Sequence, residues 1–204
     1  MAEQFETLGE LETAVKACRL CSLSESRTNA VPGEGPANAK IMFVGEGPGF
    51  HEDRQGRPFV GAAGQYLEEL LASIGLTRED VYITNVVKCR PPQNRDPLPN
   101  EIETCRPYLD RQIELIQPKL IVTLGRFSMN LFMPDAKISE AHGKPRKIRG
   151  IVYYPVYHPA AGLHQPRWKS IIEEDFRRIP EVLAQAAHLR DEEPPEDAEQ
   201  LSLF

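Results

Sequence analysis

The chain has 204 residues, with 24 Lys and Arg, 30 Asp and Glu, 18 Pro, 14 Gly and 4 Cys, the profile of one ordinary globular domain. No uninterrupted apolar run approaches the ~18 residues of a membrane span, and Met1-Ala2-Glu3-Gln4-Phe5-Glu6 lacks the basic and apolar regions of a secretory signal, so a cytoplasmic protein is expected. The −6 net charge lies entirely in residues 181–204, where seven acids face Arg190 alone; residues 1–180 balance at 23 acids and 23 bases.

Residues 1–23 read as a short helix running into Cys18-Arg-Leu-Cys21, and Ser22 to Ala39, rich in Ser, Gly, Pro and Asn, as loop. Four runs have strand character: 40–45, 81–87, 119–125 and 151–157. The first and third are almost continuously apolar and β-branched, which suits strands covered on both faces. Helical patterns occupy 62–74, 100–116, 126–132 and 168–187; Leu67, Leu70, Leu71 and Ile74 share one face of the first. Asn100 with Glu103 resembles a capping box, and Gly75 stands where a helix should stop. The alternation predicts a three-layer α/β/α sandwich around a central four-stranded, mostly parallel sheet, folded over 1–187. From 188 the chain is too acidic and proline-rich to fold alone, and a disordered tether tipped by the apolar Gln200-Leu201-Ser202-Leu203-Phe204 is expected over 188–204.

Functional groups in such a fold gather beyond the carboxyl ends of the strands. Gly45-Glu46-Gly47-Pro48-Gly49 follows the first strand, where Gly45 and Gly47 let a ligand approach the backbone and Glu46 offers a carboxylate. Phe59, in Gly56-Arg57-Pro58-Phe59-Val60-Gly61, is a stacking platform for a flat ligand or a core residue. Asn85 ends the second strand and His158 the last, so three strand ends direct a carboxylate, an amide and an imidazole to one crevice. The four cysteines, Cys18, Cys21, Cys89 and Cys105, argue against disulfides in a cytosolic chain. Their spacing leaves a cubane iron–sulfur cluster, a zinc site and buried unliganded thiols all open. Bases cluster at Lys88, Arg90 and Arg95, at Lys144 to Arg149, and at Arg167 and Lys169, on segments that either meet phosphate or line a solvated face.

Gly-Glu-Gly-Pro-Gly, Glu-Asp-x-x-Gly-Arg-Pro-Phe-Val-Gly, Tyr-Ile-Thr-Asn-Val-Val-Lys-Cys-Arg-Pro-Pro, His-Pro-Ala and the four cysteines together resemble the family 4 uracil-DNA glycosylases of bacteria and archaea, from about Cys18 to Phe176. The resemblance implies excision of uracil from DNA by N-glycosidic cleavage, with the nucleotide flipped out of the helix. It implies that Phe59 stacks on the base, that Asn85 reads its Watson–Crick edge, and that Glu52 stands near C5, where it excludes thymine. By the same resemblance Glu46 stabilises the sugar cation and positions water, and His158 bonds uracil O2 beside the Gly45–Gly49 backbone. Leu163 is expected to wedge into the vacated stack, and Lys88, Arg90 and Arg95 to meet phosphates. His51, where the motif varies, is a further candidate DNA contact.

The resemblance also implies that Cys18, Cys21, Cys89 and Cys105 bind a 4Fe-4S cluster, for which a structural rather than a redox role is expected. The terminal Gln200-Leu201-Ser202-Leu203-Phe204 resembles the peptide by which bacterial repair proteins bind the sliding clamp. The expected protein is a monomer associated with the nucleoid. The other readings are a glycosylase for a wider set of deaminated bases such as hypoxanthine, a non-catalytic iron–sulfur nucleic-acid-binding module, and a small redox carrier.

Overall fold

A computed structural model describes residues 5–192. Strands β1 (Ile41–Gly45), β2 (Tyr82–Asn85), β3 (Leu120–Leu124) and β5 (Ile151–Val156) run parallel, as the apolar runs predict. The sheet has six strands rather than four, in the order β2-β1-β3-β5-β4-β6, because β4 (Arg146–Ile148) and β6 (Asp191–Glu192) extend one edge. The basic cluster at 144–149 hides β4: its charged side chains obscure a short strand, which a two-residue turn folds antiparallel onto β5. Arg149 and Gly150 both take positive φ there, 50° and 81°, as a tight hairpin of this hand requires. β6 then pairs parallel to β4, with Glu192 in an ion pair to Arg146 at 2.6 Å. The chain therefore stays on the body through Glu192, beyond the boundary expected at 187; Leu189 packs against the core just before it.

Alternation along each strand divides the core. Ile41, Phe43, Ile83, Val122 and Tyr154 face one side of the sheet, while Met42, Val44, Tyr82, Ile121 and Tyr153 face the other. The second face is covered by α1 (Leu8–Ala17), α5 (Pro99–Ile116) and α6 (Arg126–Asn130), through Leu11, Leu109 and Met129. The first is covered by α4 (Ala62–Ser73), α9 (Pro166–Arg177) and α10 (Ile179–Gln185), through Leu67, Leu70, Phe176 and Val182. Burial on both faces explains why the strands read as unbroken apolar runs.

Short helices connect these layers: α2 (Leu23–Ser26), α3 (Phe50–Gln55), α7 (Ile138–Ala141) and α8 (Pro159–His164). The helix expected over 168–187 is two, divided at Arg178 with Pro180 in the first turn of the second, where its missing N–H costs nothing. The expected Asn100–Glu103 box is displaced: Leu98 caps α5, and its N–H donates to Glu101 Oε2 at 2.8 Å. Gly75 ends α4 with φ +74° as expected. Among the described residues no helix is long and apolar enough to cross a membrane.

Candidate active site

The chain passes from β1 to β2 on one side and then to β3 on the other, so the order reverses between β1 and β3. A crevice belongs at the carboxyl end of such a switch. A cavity of about 400 Å³ lies there. Its walls are Glu46 to Gly49 after β1, Glu52 in the short helix that follows, Phe59 in the loop beyond, Asn85 at the end of β2, the 91–95 loop and His158 after β5. The predicted carboxylate, amide and imidazole are thus brought together.

Asn85 is 1% exposed, and its Oδ1 has no hydrogen-bond partner among the described residues. Its strand partner is Gly45, where an added Cβ would strike both Asn85 Oδ1 and the Phe59 ring; glycine is what lets the two face one slot. Phe59, 5% exposed, holds a left-handed backbone at φ +52° and stacks on His158 with ring centroids 5.6 Å apart. That conformation costs roughly 1–3 kcal/mol in a non-glycine residue and needs support. Arg78 supplies it by donating to Phe59 O at 2.9 Å and Pro58 O at 2.6 Å, and Gly64 by leaving room for the Phe59 carbonyl.

Glu52 lines the cleft, but its oxygens are engaged: Oε2 accepts from Gly49 N at 3.1 Å, and Oε1 from Val60 N and Gly61 N at 2.8 Å each. The side chain staples the start of α3 to the start of α4 across the Phe59 loop.

Burial, with the nearby Asp96 charge, raises the Glu46 carboxyl above its ordinary range, and Arg126 opposes the shift. Burial pushes the His158 imidazole down to about 4, with Glu52 opposing, so the ring is neutral near pH 7. Its Nδ1 lies 3.2 Å from the Ala160 N–H and accepts from it, which places the ring hydrogen on Nε2. His158 therefore offers the cleft a neutral N–H donor.

The four cysteines line one small apolar-walled cavity, reached from the segment after α1, the segment after β2 and the body of α5. Cys105 sits inside α5, not at a loop end. Arg27 Nη1 donates to Cys89 Sγ at 2.7 Å and the Lys88 N–H to Cys105 Sγ at 3.3 Å, contacts that favour electron-rich sulfur. Burial pushes the Cys105 thiol up to about 11 and raises the Cys89 thiol, so thiolates here call for a cationic centre between them. Among the described residues no three His, Cys, Asp or Glu side chains are grouped to hold a single ion. Four sulfur donors from three segments around one cavity form a set that fits a thiolate-bound metal centre.

Lys88 corrects the sequence reading. It is 1% exposed and cannot meet phosphate: α5 and the strand end enclose it, and Nζ is bonded within the core. Arg95 reaches the cleft, but its guanidinium is bidentate to buried Glu101 at 2.7 and 2.9 Å, so it braces the 91–99 loop rather than offering a free charge. Arg90 has no carboxylate partner among the described residues. It stacks on Phe50, which is 46% exposed and also carries Arg54, the guanidinium carbons lying 5.2 and 5.7 Å from the ring centroid. His51 meets the same ring edge-on at 5.4 Å. Leu163, on α8 five residues past His158, is 43% exposed, as a wedge must be. Gln200 to Phe204 lie outside the described residues.

Sequence reasoning passed over Phe50, Arg78, Asp96 and Arg126. An exposed aromatic beside the glycine turn was a usable signal for Phe50; nothing local marks Arg78, whose partners lie twenty residues away.

The family model for the uracil DNA glycosylase superfamily matches residues 32–179. A type-4 uracil-DNA glycosylase of Sulfurisphaera tokodaii is 50% identical over 190 residues, covering 87% of this chain and 86% of that protein. One from Archaeoglobus fulgidus is 50% identical over 187 residues, covering 87% and 94%, and one from Thermotoga maritima 50% over 163 residues, covering 78% and 85%. Agreement of this extent, over a segment that contains every strand end lining the cleft, shows that the chain belongs to the uracil-DNA glycosylase superfamily.

Proposed function

We propose that the protein is a monofunctional glycosylase that hydrolyses the N-glycosidic bond of uracil in DNA and so initiates base-excision repair. The observation that carries this is the buried, unpartnered Asn85 Oδ1 in a slot beside Phe59. Orphaned polar atoms in a core are rare and costly, roughly 1–3 kcal/mol, and a ligand N–H is what satisfies this one. Uracil provides N3–H for Oδ1 and O4 for the Asn85 amide N–H; cytosine presents a bare N3 and an amino donor, which inverts both contacts.

The target base must leave the helix to reach the slot, at a cost of about a few kcal/mol, and Leu163 fills its place. As the glycosidic bond lengthens, positive charge grows on the sugar and negative charge on uracil O2. Glu46, whose carboxyl is raised by burial, acts in its ionised form, facing the sugar and holding the attacking water. The neutral His158 donates its Nε2–H to O2, a preorganised donor that need not lose a proton. Arg90 and Arg54 meet phosphate at the rim and set affinity and salt dependence without reading sequence.

Cys18, Cys21, Cys89 and Cys105 would hold a 4Fe-4S cluster, which when bound would cross-link the three chain segments that line their cavity. The folded unit works as a monomer at the nucleoid, and the Gln200–Phe204 peptide engages the sliding clamp. Deleting those five residues is expected to abolish clamp binding and leave excision from short oligonucleotides unchanged.

The function is tested by abasic-site formation on oligonucleotides carrying uracil opposite guanine, opposite adenine or unpaired, with thymine and hypoxanthine controls. Uracil-selective release that falls sharply in Glu46→Ala is expected; a wild-type protein with intact cluster that releases nothing refutes the proposal.

A further inference from the structure

Lys88 is withdrawn from DNA by the fold, and its surroundings give it another use. Nζ lies 2.6 Å from Thr84 Oγ1, 2.7 Å from Asn85 O and 2.6 Å from Gln112 Oε1, one oxygen acceptor for each hydrogen of an ammonium. Those acceptors are set in advance. Thr84 Oγ1 donates its own hydrogen to Pro32 O at 2.7 Å, and the Gln112 amide donates to Pro32 O at 2.8 Å and Tyr82 Oη at 3.1 Å. All three acceptors are neutral, and a buried cation without an anion is costly. The anionic groups that favour this ammonium are the Cys105 and Cys89 sulfurs and Asp110; the lysine lines the cysteine cavity, precedes Cys89, and donates its backbone N–H to Cys105 Sγ. One residue thus touches a cluster ligand with its main chain and the Asn85 carbonyl with its side chain.

Building on the uracil-excising reading, we propose that Lys88 is a positioning residue: held in the core by the negative charge of the thiolate-ligated cluster, its ammonium clamps the Asn85 carbonyl and ties cluster occupancy to the geometry of the base-reading amide. Occupancy of the cysteine site would then bear on the rate of uracil release as well as on stability. The assignment also explains why a lysine stands where a leucine or methionine would fill the same space without the cost of burying a charge.

The test uses full-length protein prepared anaerobically, as wild type, Lys88→Met, Asn85→Ala and the double variant. Two quantities are read: the rate at which visible absorbance near ~400 nm is lost to an iron chelator, and kcat/KM for uracil release at matched cluster content. Lys88→Met is expected to lose iron several-fold faster and to excise uracil about 10–100-fold more slowly, the effect of deleting a hydrogen bond from a charged group. In the Asn85→Ala background the same change is expected to cost less than about twofold, because Lys88 works through Asn85. Excision by Lys88→Met within twofold of wild type, or losses that multiply in the double variant, would overturn the proposal. Equal iron-loss rates overturn it too, and that arm stands even if no protein releases uracil, a result that would instead remove the glycosylase reading. Should Lys88→Met fail to fold, Thr84→Val removes one acceptor and keeps the charge; a several-fold loss that vanishes beside Asn85→Ala is expected, and an unchanged or multiplying result refutes the idea.

Discussion

Replacing Glu52 separates two accounts of the same carboxylate. It accepts from the N–H groups of Gly49, Val60 and Gly61, and so closes the loop that holds Phe59. Glu52→Ala strands three donors, each worth about 1.5–3 kcal/mol when bonded to a charged group. All three are only half-buried, so water recovers part of this, and a net loss of about 2–4 kcal/mol follows. For a chain of this length such a loss lowers Tm by roughly 4–16 °C. Glu52→Gln keeps an oxygen for Val60 and Gly61 but turns an amide N–H toward the Gly49 N–H, costing about 1–2 kcal/mol. Both variants should lose kcat/KM for uracil as Phe59 loosens, the alanine more, and neither should release thymine. Thermal denaturation followed by circular dichroism gives the first number. Excision of uracil and thymine well below both melting temperatures gives the second. An alanine variant that melts with wild type and gains thymine release would show that the carboxylate guards C5 of the base and staples nothing.

Three further outcomes follow from the cleft and its rim. Because burial and Asp96 raise the Glu46 carboxyl, its working ionised form is lost as pH falls, beginning above the usual carboxylate range; Asp96→Asn should move this acid limb of kcat/KM to lower pH, and less so at high salt, since Asp96 and Arg126 are exposed. With His158 titrating at about 4, the profile should show no step near ~6.5, and a step there that disappears in His158→Gln would refute the neutral imidazole. Phe50→Ala frees Arg54 and Arg90 from their ring, and KM for oligonucleotides should rise about 2–5-fold with kcat unchanged. An unaltered KM would place that cluster off the DNA path.

The cleft was readable because its residues sit at strand ends, and strand ends are marked by the passage from apolar runs to Gly, Asn and His-Pro. Asn85 and Glu46 follow from that pattern alone. Lys88 was misread for a general reason: a lysine near an arginine and a proline looks like surface, and only the packing of α5 against the end of β2 shows that Gln112, twenty-four residues on, receives it. The bonds Glu52 makes were hidden for a similar reason, since its partners Val60 and Gly61 contribute backbone N–H groups, which carry no sequence signature. β4 and β6 were invisible because a three-residue and a two-residue strand are shorter than any period can register.

The direction of β6 has a consequence for anything the end of the chain engages. β6 runs with β4 and therefore against β1, β3 and β5, so Glu192 leaves the body at the amino edge of the parallel strands, across the sheet from the cleft. A partner gripping the last residues would pull on the rear of the enzyme.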